Sequence, residues 1–400
     1  MGKVWLKNIE ESLRGTKIFL SLAGLGFVFK GHLPYVSAVI ANKLVALCLL
    51  GYSIYQYLDQ IEKVSNIVHH AILTLDVCIA LFIGYIYRDV FKFLLNDPSS
   101  SYHYESEMMS KKMEEVKEVV RTNYKDMFKY IVWSMVYLLM LMNTLAICQR
   151  YFNNEDILLL FPCYFPFTID SYPVHIAVFI WQECIVFYIG IMVFSSLFFL
   201  HCIYSHVVTE IDILKFAMNN IEERAYEMAM SQKYYGDRIV QPEILSRCYV
   251  KCTRMCAEHH SAIIRYFHKG ELLIEIVYFV IFLTGLVVCT CTGFALISEN
   301  TSLKIKFVGI TFIQIIFLYI MCWLAEETAE QSLSVGDIVY VMEWYRLPKE
   351  CQTILMIMMI RANKPLLMRM LTGQKVDLAA YMALIKASYS YFNMMLATMQ

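Results

Sequence analysis

The 400-residue sequence predicts an all-α integral membrane protein with seven spanning helices, and three observations carry that expectation. Hydrophobic residues make up 58% of the chain and charged residues only 17%, where an ordinary soluble domain carries about a quarter charged; mean hydropathy is +0.51. Apolar runs recur at the ~20-residue length that carries a helix across a bilayer. Connections rich and poor in Lys and Arg alternate, as they do in a chain threaded back and forth with its basic loops retained inside. The net charge of −1 gives no electrostatic reason to expect nucleic acid as a partner.

Taken in order, residues 1–32 form an inner N-terminal segment holding Lys3, Lys7, Arg14, Lys17 and Lys30, without the apolar core and cleavage site of a signal peptide. Residues 33–204 contain spans one to four, at 33–57, 67–87, 127–148 and 173–203. A connection at 205–271 follows, then spans five and six within 272–325, at 272–297 and 303–324. The seventh element is split. Residues 326–375 carry a helix at 334–360 and a break at Arg361, Pro365 and Gly373, and 376–400 form the last crossing.

Sidedness follows from the loops. Arg88, Lys92, Lys111, Lys112, Lys117, Arg121 and Lys125 lie between spans two and three, whereas the alternate loops hold only Lys63, Arg150, Lys304 and Lys306. The N-terminus is therefore expected inside the cell and the C-terminus outside. The Asn300 sequon falls on the outer side. Residues 105–124 show an apolar stripe of Met109, Met113, Val116 and Val120 among charges spaced for i,i+4 pairs such as Lys111 with Glu115, a helix extending span three into the cytosol. Residues 207–226 extend span four likewise, and 243–270 lead into span five. Together these extensions predict a cytosolic anchor domain. The stretch 96–104 is the one candidate for a disordered loop.

The chemistry-bearing residues are few. Cys248, Cys252 and Cys256, followed by His259 and His260, stack at helical spacing; three thiols on one helix face suit a buried core better than a metal site, so neither metal nor cofactor is expected. Most of the thirteen cysteines sit in apolar runs as small hydrophobes, and Cys148 and Cys163, bracketing an outer loop, are candidates for a bridge. Asp76 lies inside span two with His69 and His70 nearby, either facing a ligand or bonded to a neighbouring helix. Lys43 in span one needs a partner. No phosphate loop, nucleophile elbow or catalytic carboxylate pair is present, so an enzyme is not expected.

Aromatic and Met residues crowd the outer halves of the spans: Tyr137, Met140 and Met142, then Phe179, Trp181, Phe187 and Tyr188, then Phe307 and Phe312. With Thr144, Cys184, Thr311 and Gln314 as sparse polar points, they either pack or line a cavity for a small apolar ligand. The last helix is partly polar, with Lys386, Ser388, Ser390, Asn393 and Thr398, which suggests a water-lined path. Two stripes compete for it: Ala387, Tyr391, Met394 and Thr398 on one face, Lys386, Ser390, Asn393 and Ala397 on the next.

The tail carries a resemblance. Arg361-Ala-Asn-Lys-Pro365-Leu, then Thr372-Gly373-Gln374-Lys375, then Leu384 through Phe392 (LIKASYSYF), resemble the C-terminal signature of the insect odorant receptors. The outer loop FPCYFPFTIDSYPVHIAVFIWQE is similar to that family too. The resemblance implies an odorant-gated, non-selective cation channel of four subunits, in which an odorant-tuning subunit assembles with a co-receptor. It implies a pore lined by the last helix, with Tyr391, Met394 and Thr398 at the gate. It also implies an outer-half ligand pocket among spans two, three, four and six, here Ile72, Leu75, Asp76, Ile79, Tyr137, Met140, Leu141, Thr144, Trp181, Cys184, Tyr188, Phe307, Ile310, Thr311 and Gln314. The partners implied are co-receptor subunits, a small volatile apolar odorant, the lipid bilayer and permeating cations, in the plasma membrane of sensory neurons. Polar Thr398 and the short 205–271 connection favour a tuning subunit over the co-receptor. A G-protein-coupled heptahelical chemoreceptor is the alternative, although it requires an outside N-terminus; a gustatory-receptor-like homotetrameric channel is another.

Overall fold

The computed structural model describes residues 33–96, 104, 106–153, 159–231, 242–297 and 301–399. Ten helices fill them: α1 (Leu33–Gln56), α2 (Ile61–Ile86), α3 (Arg88–Asn96), α4 (Glu107–Asn153), α5 (Tyr172–Asn219), α6 (Ile221–Ser231), α7 (Pro242–Ile297), α8 (Thr301–Val341), α9 (Lys349–Ala362) and α10 (Leu378–Met399). Six of these, α1, α2, α4, α5, α7 and α8, are long and apolar enough to cross a membrane. At 22 residues α10 has the length for a seventh crossing, about 33 Å, and its polar residues account for its lower hydropathy.

Helix length divides the molecule. α7 has 56 residues and α5 has 48, so each runs for more than twice the ~30 Å of a bilayer's hydrocarbon and projects beyond it. The helical extensions expected of spans three and five are continuous with α4 and α7, whereas the one expected of span four over 207–226 runs within α5 only to Asn219 and resumes as α6 at Ile221. α7 is the hub, packing on α2, α3, α5, α6, α8, α9 and α10. By contrast α4 leans on α5 and α8 and leaves Tyr130, Trp133, Tyr137 and Met140 largely exposed, an apolar face for lipid or another chain.

Two local expectations are corrected, and one helix is added. The 334–360 helix is two: α8 ends at Val341, a 3-10 turn occupies Trp344–Arg346, and α9 starts after Pro348. Proline cannot supply a helical N–H and forces the preceding residue out of the α region, and Leu347 is extended at φ −75°, ψ 160°. α3 is a separate amphipathic helix whose Phe91, Leu94 and Leu95 are buried, and Gly270 of α7 lets Leu94 approach to a distance no Cβ would permit. Lys111 pairs with Glu107 at 2.8 Å, while Glu115 takes Lys112 at 3.1 Å.

Among the described residues, the projecting half is pinned by a network of buried polar groups. The Tyr104 hydroxyl lies 2.8 Å from His259 Nδ1, and His259 Nε2 lies 2.8 Å from Glu210 Oε2. Arg224 stacks over the Tyr104 ring and donates to Ala217 O and to Cys256 Sγ. His259 and Cys256 are thereby engaged within the core, and among the described residues no group of His, Cys, Asp and Glu is arranged to hold a metal ion.

The link into the last helix is equally defined. Met370 N–H donates to Gln374 O at 2.9 Å and Val376 N–H to Met368 O at 3.0 Å around Gly373, whose φ of +79° favours glycine. Asp377 then caps α10, accepting from Ala380 N–H at 2.8 Å, and Glu326 of α8 accepts from Leu378 N–H at 3.2 Å.

Candidate functional site

An apolar cavity of ≈ 120 Å³ lies between α2, α5, α7 and α8. Leu73, Val77 and Ala80 of α2 face Ile189, Met192 and Val193 of α5 across it; Val277, Ile281 and Thr284 of α7 and Gln314 and Phe317 of α8 complete the wall. Its acid, Asp76, lines the cavity and accepts a hydrogen bond from Thr284 of a neighbouring helix, the second of the two readings left open for it. A second chamber of ≈ 80 Å³ adjoins the first, sharing Leu73, Ile189, Val193 and Gln314 and adding His69, His70, Met142, Phe194 and Ile310.

Of the pocket residues expected from sequence, the cavity gathers Asp76, Ile310 and Gln314. The others lie elsewhere. Tyr137, Met140 and Thr144 are on the exposed face of α4, where Leu141 is half-buried near Gly309; Leu75 and Cys184 are also exposed. Ile72 and Ile79 are half-buried on α2. Trp181 donates to Asn42 at 3.1 Å, and Tyr188 lies beneath the Lys43 ammonium, which donates to Ile185 O. Phe307 packs on His69, and Thr311 bonds Thr292. Span three contributes only Met142 among the named lining residues, while span five, absent from the expectation, supplies a wall.

The segment after α4 closes over this region. Gln182, fully buried, accepts from Leu160 N–H at 2.8 Å and donates to Phe161 O at 3.0 Å. Lys306 donates to Leu160 O at 2.7 Å, and Ser53 Oγ accepts from Tyr164 N–H at 2.7 Å. These bonds hold Phe161 edge-on against His70, ring centroids 4.4 Å apart. Cys163 is a free buried thiol beside Ser53; the Cys148 side chain and Asn300 lie outside the described residues.

α10 buries Ala380, Leu384 and Ser388 and leaves Lys386, Ser390, Tyr391, Asn393, Met394 and Ala397 exposed, so both competing stripes present residues on its uncovered side. The Thr398 side chain lies outside the described residues. Against α7 the fit is close: a Cβ on Gly293 would come within 2.3 Å of the Phe392 ring. Sequence reasoning noted His69 and His70 without placing them in the pocket, and it missed Gln182 and Gly293. A paired imidazole and a lone glycine within spans were the available signals.

The long projecting helices and the cavity among the spanning ones define a polytopic helical membrane protein with an internal apolar cavity. The 7tm Odorant receptor family model matches residues 77–389, and the chain belongs to that family. Odorant receptor Or2 of Anopheles gambiae is 26% identical over 141 residues, 35% of this chain and 37% of the relative. Odorant receptor 10 of Aedes albopictus is 27% identical over 139 residues, again 37% of the relative, so the chain aligns with little more than a third of either protein's length. The structure of the insect olfactory receptor OR5 from Machilis hrabei in complex with eugenol matches with TM-score 0.69 and 12% identity, covering 97% of this chain and all of that one; the likeness is one of fold.

Proposed function

We propose that this chain is the odorant-binding subunit of a heterotetrameric, odorant-gated, non-selective cation channel in the plasma membrane of olfactory neurons, assembled with co-receptor subunits. One observation carries the reading. The cavity shares α7 with the last helix: Val277, Ile281 and Thr284 face the cavity, and Gly293, further along the same helix, receives Phe392 of α10. A small apolar volatile that binds better to one arrangement of α7 against α2, α5 and α8 shifts the population toward it, and α10 follows.

In this reading the N-terminus is cytosolic and the C-terminus extracellular. The projecting half is the anchor domain, and the exposed side of α10 meets the pore with Tyr391, Met394 and Thr398. The binding residues are those around the two chambers, with Asp76, Ile310 and Gln314 common to both the sequence and the cavity. The chain is then a receptor and not an enzyme.

The test is cation current in cells expressing the chain with and without a co-receptor, across a panel of volatiles, with an external tag at the C-terminus. Ligand-evoked current that requires both subunits is expected, and Met394→Ala is expected to raise leak or shift gating. Currents independent of the co-receptor, or a tag accessible only after permeabilisation, sink the proposal.

A further inference from the structure

Polar side chains at the level of the smaller chamber are engaged almost throughout: Gln182 and Lys306 with the loop backbone, Ser65 with Cys291 O, Thr74 with His70 O. Among the described residues the exceptions are Glu183, one of whose carboxylate oxygens is buried unpaired, and the His69–His70 pair, which holds the others. His70 is 3% exposed, lines the chamber, and both of its ring nitrogens are buried without a hydrogen-bond partner; Nδ1 of His69 is buried in the same condition. Buried polar atoms are almost always paired, and leaving one unpaired in a low-dielectric interior is costly. The rings are not free to turn away. His70 is wedged between Phe161 at 4.4 Å and His69 at 5.1 Å, and His69 meets Phe307 edge-on at 5.2 Å.

Resting on the function proposed above, we infer that the smaller chamber is a hydrogen-bonding subsite in which His70 engages the oxygen of a hydroxyl- or carbonyl-bearing volatile, the apolar body extending toward the larger chamber. A neutral imidazole offers one N–H donor and one acceptor, so a hydroxyl finds a complement in either tautomer and a carbonyl in the tautomer that turns the N–H toward it. Apart from His69 and from Gln314, which stands at the wall common to both chambers, the rest of the chamber is apolar. One end of the ligand is thus read for polarity and the remainder for shape. The same site discriminates against a plain hydrocarbon, because filling the chamber with carbon buries the imidazole unpaired. Asp76 in the larger chamber is the competing anchor, one that selects an amine instead.

The experiment records concentration–response curves from the full chain with its co-receptor. The probes are matched six- to ten-carbon sets: the n-alkane, the 1-alcohol, the 2-ketone and the primary amine. Alcohols and ketones are expected to be at least about tenfold more potent than their alkanes. His70→Phe is expected to bring that ratio to near unity while the alkane response persists, with H70L serving if the larger ring keeps the protein from the surface. His70→Gln, which keeps a donor and an acceptor, is expected to preserve the ratio. A current with no member of the panel defeats the channel reading and the subsite with it. Currents whose oxygenated-to-alkane ratio is near unity, or is unmoved by H70F and H70L, or that favour amines through Asp76, leave the channel standing and overturn the subsite.

Discussion

Two buried histidines, one in each half of the molecule, sit in opposite circumstances. His259 in the projecting half is 1% exposed and held at both nitrogens, by Tyr104 and by Glu210, with Arg224 stacked on the tyrosine. His70 in the apolar half is 3% exposed and held at neither. A satisfied network gives rigidity, since every member loses a partner if any one moves. An unsatisfied imidazole against a cavity gives the opposite: a group whose best partner has to arrive from outside. The same residue type thus fastens one half and leaves the other receptive.

The largest test of that contrast is Glu210→Ala, which strips His259 of its acceptor in a buried site. A loss of about 3–5 kcal/mol is expected, read as a lowered unfolding temperature in detergent and reduced surface expression. Burial pushes the Glu210 carboxyl up, but the His259 hydrogen bond and the charges of His206, His259 and Lys117 outweigh it and hold it below the usual carboxylate range. A depressed carboxylate contributes stability that is present above its unfolded value and lost as pH falls through the folded one. Wild-type protein should therefore lose stability in acid below the usual carboxylate range, and Glu210→Gln should show a weaker dependence there.

Gln182→Leu probes the receptive half. It leaves Leu160 N–H without its acceptor and Phe161 O without its donor, for roughly 2–4 kcal/mol, and it loosens the ring that wedges His70. Ligand potency should fall more than surface expression does. Gly293→Ala pushes the Phe392 ring off α7 and should cost about 1–3 kcal/mol, with altered basal current as the sharper readout; unchanged gating would break the link between cavity and last helix. The smallest effect is expected at Arg254→Ala, whose pair with Glu350 at 3.1 Å is exposed on both sides, about 0.2–1 kcal/mol by thermal unfolding.

Much of this architecture was legible because it rests on local properties. Length and apolarity mark six crossings, and charged extensions with an apolar stripe announce helices that outrun the membrane. The polar tail helix stood apart by composition, and Asp377 and Gly373 mark its start. Even the overlooked break between α8 and α9 had its signal in Pro348. The site was less legible. Tyr137, Met140 and Thr144 share the aromatic and Met-rich character of a pocket wall yet lie on the exposed face of α4, whereas Met192 and Val193 line the cavity without distinction in the sequence.

By itself the sequence determined the class of the protein, the position of its long apolar helices and the polarity of its final one, since each depends on residues near one another along the chain. Tertiary structure alone decided which faces meet. That α7 and not α4 walls the cavity, that His70 is left unpaired where His259 is not, and that Phe392 seats on Gly293 all depend on the rotation and offset of helices far apart in sequence. Those are set by the joint packing of side chains from several elements, and no periodicity within one helix encodes them.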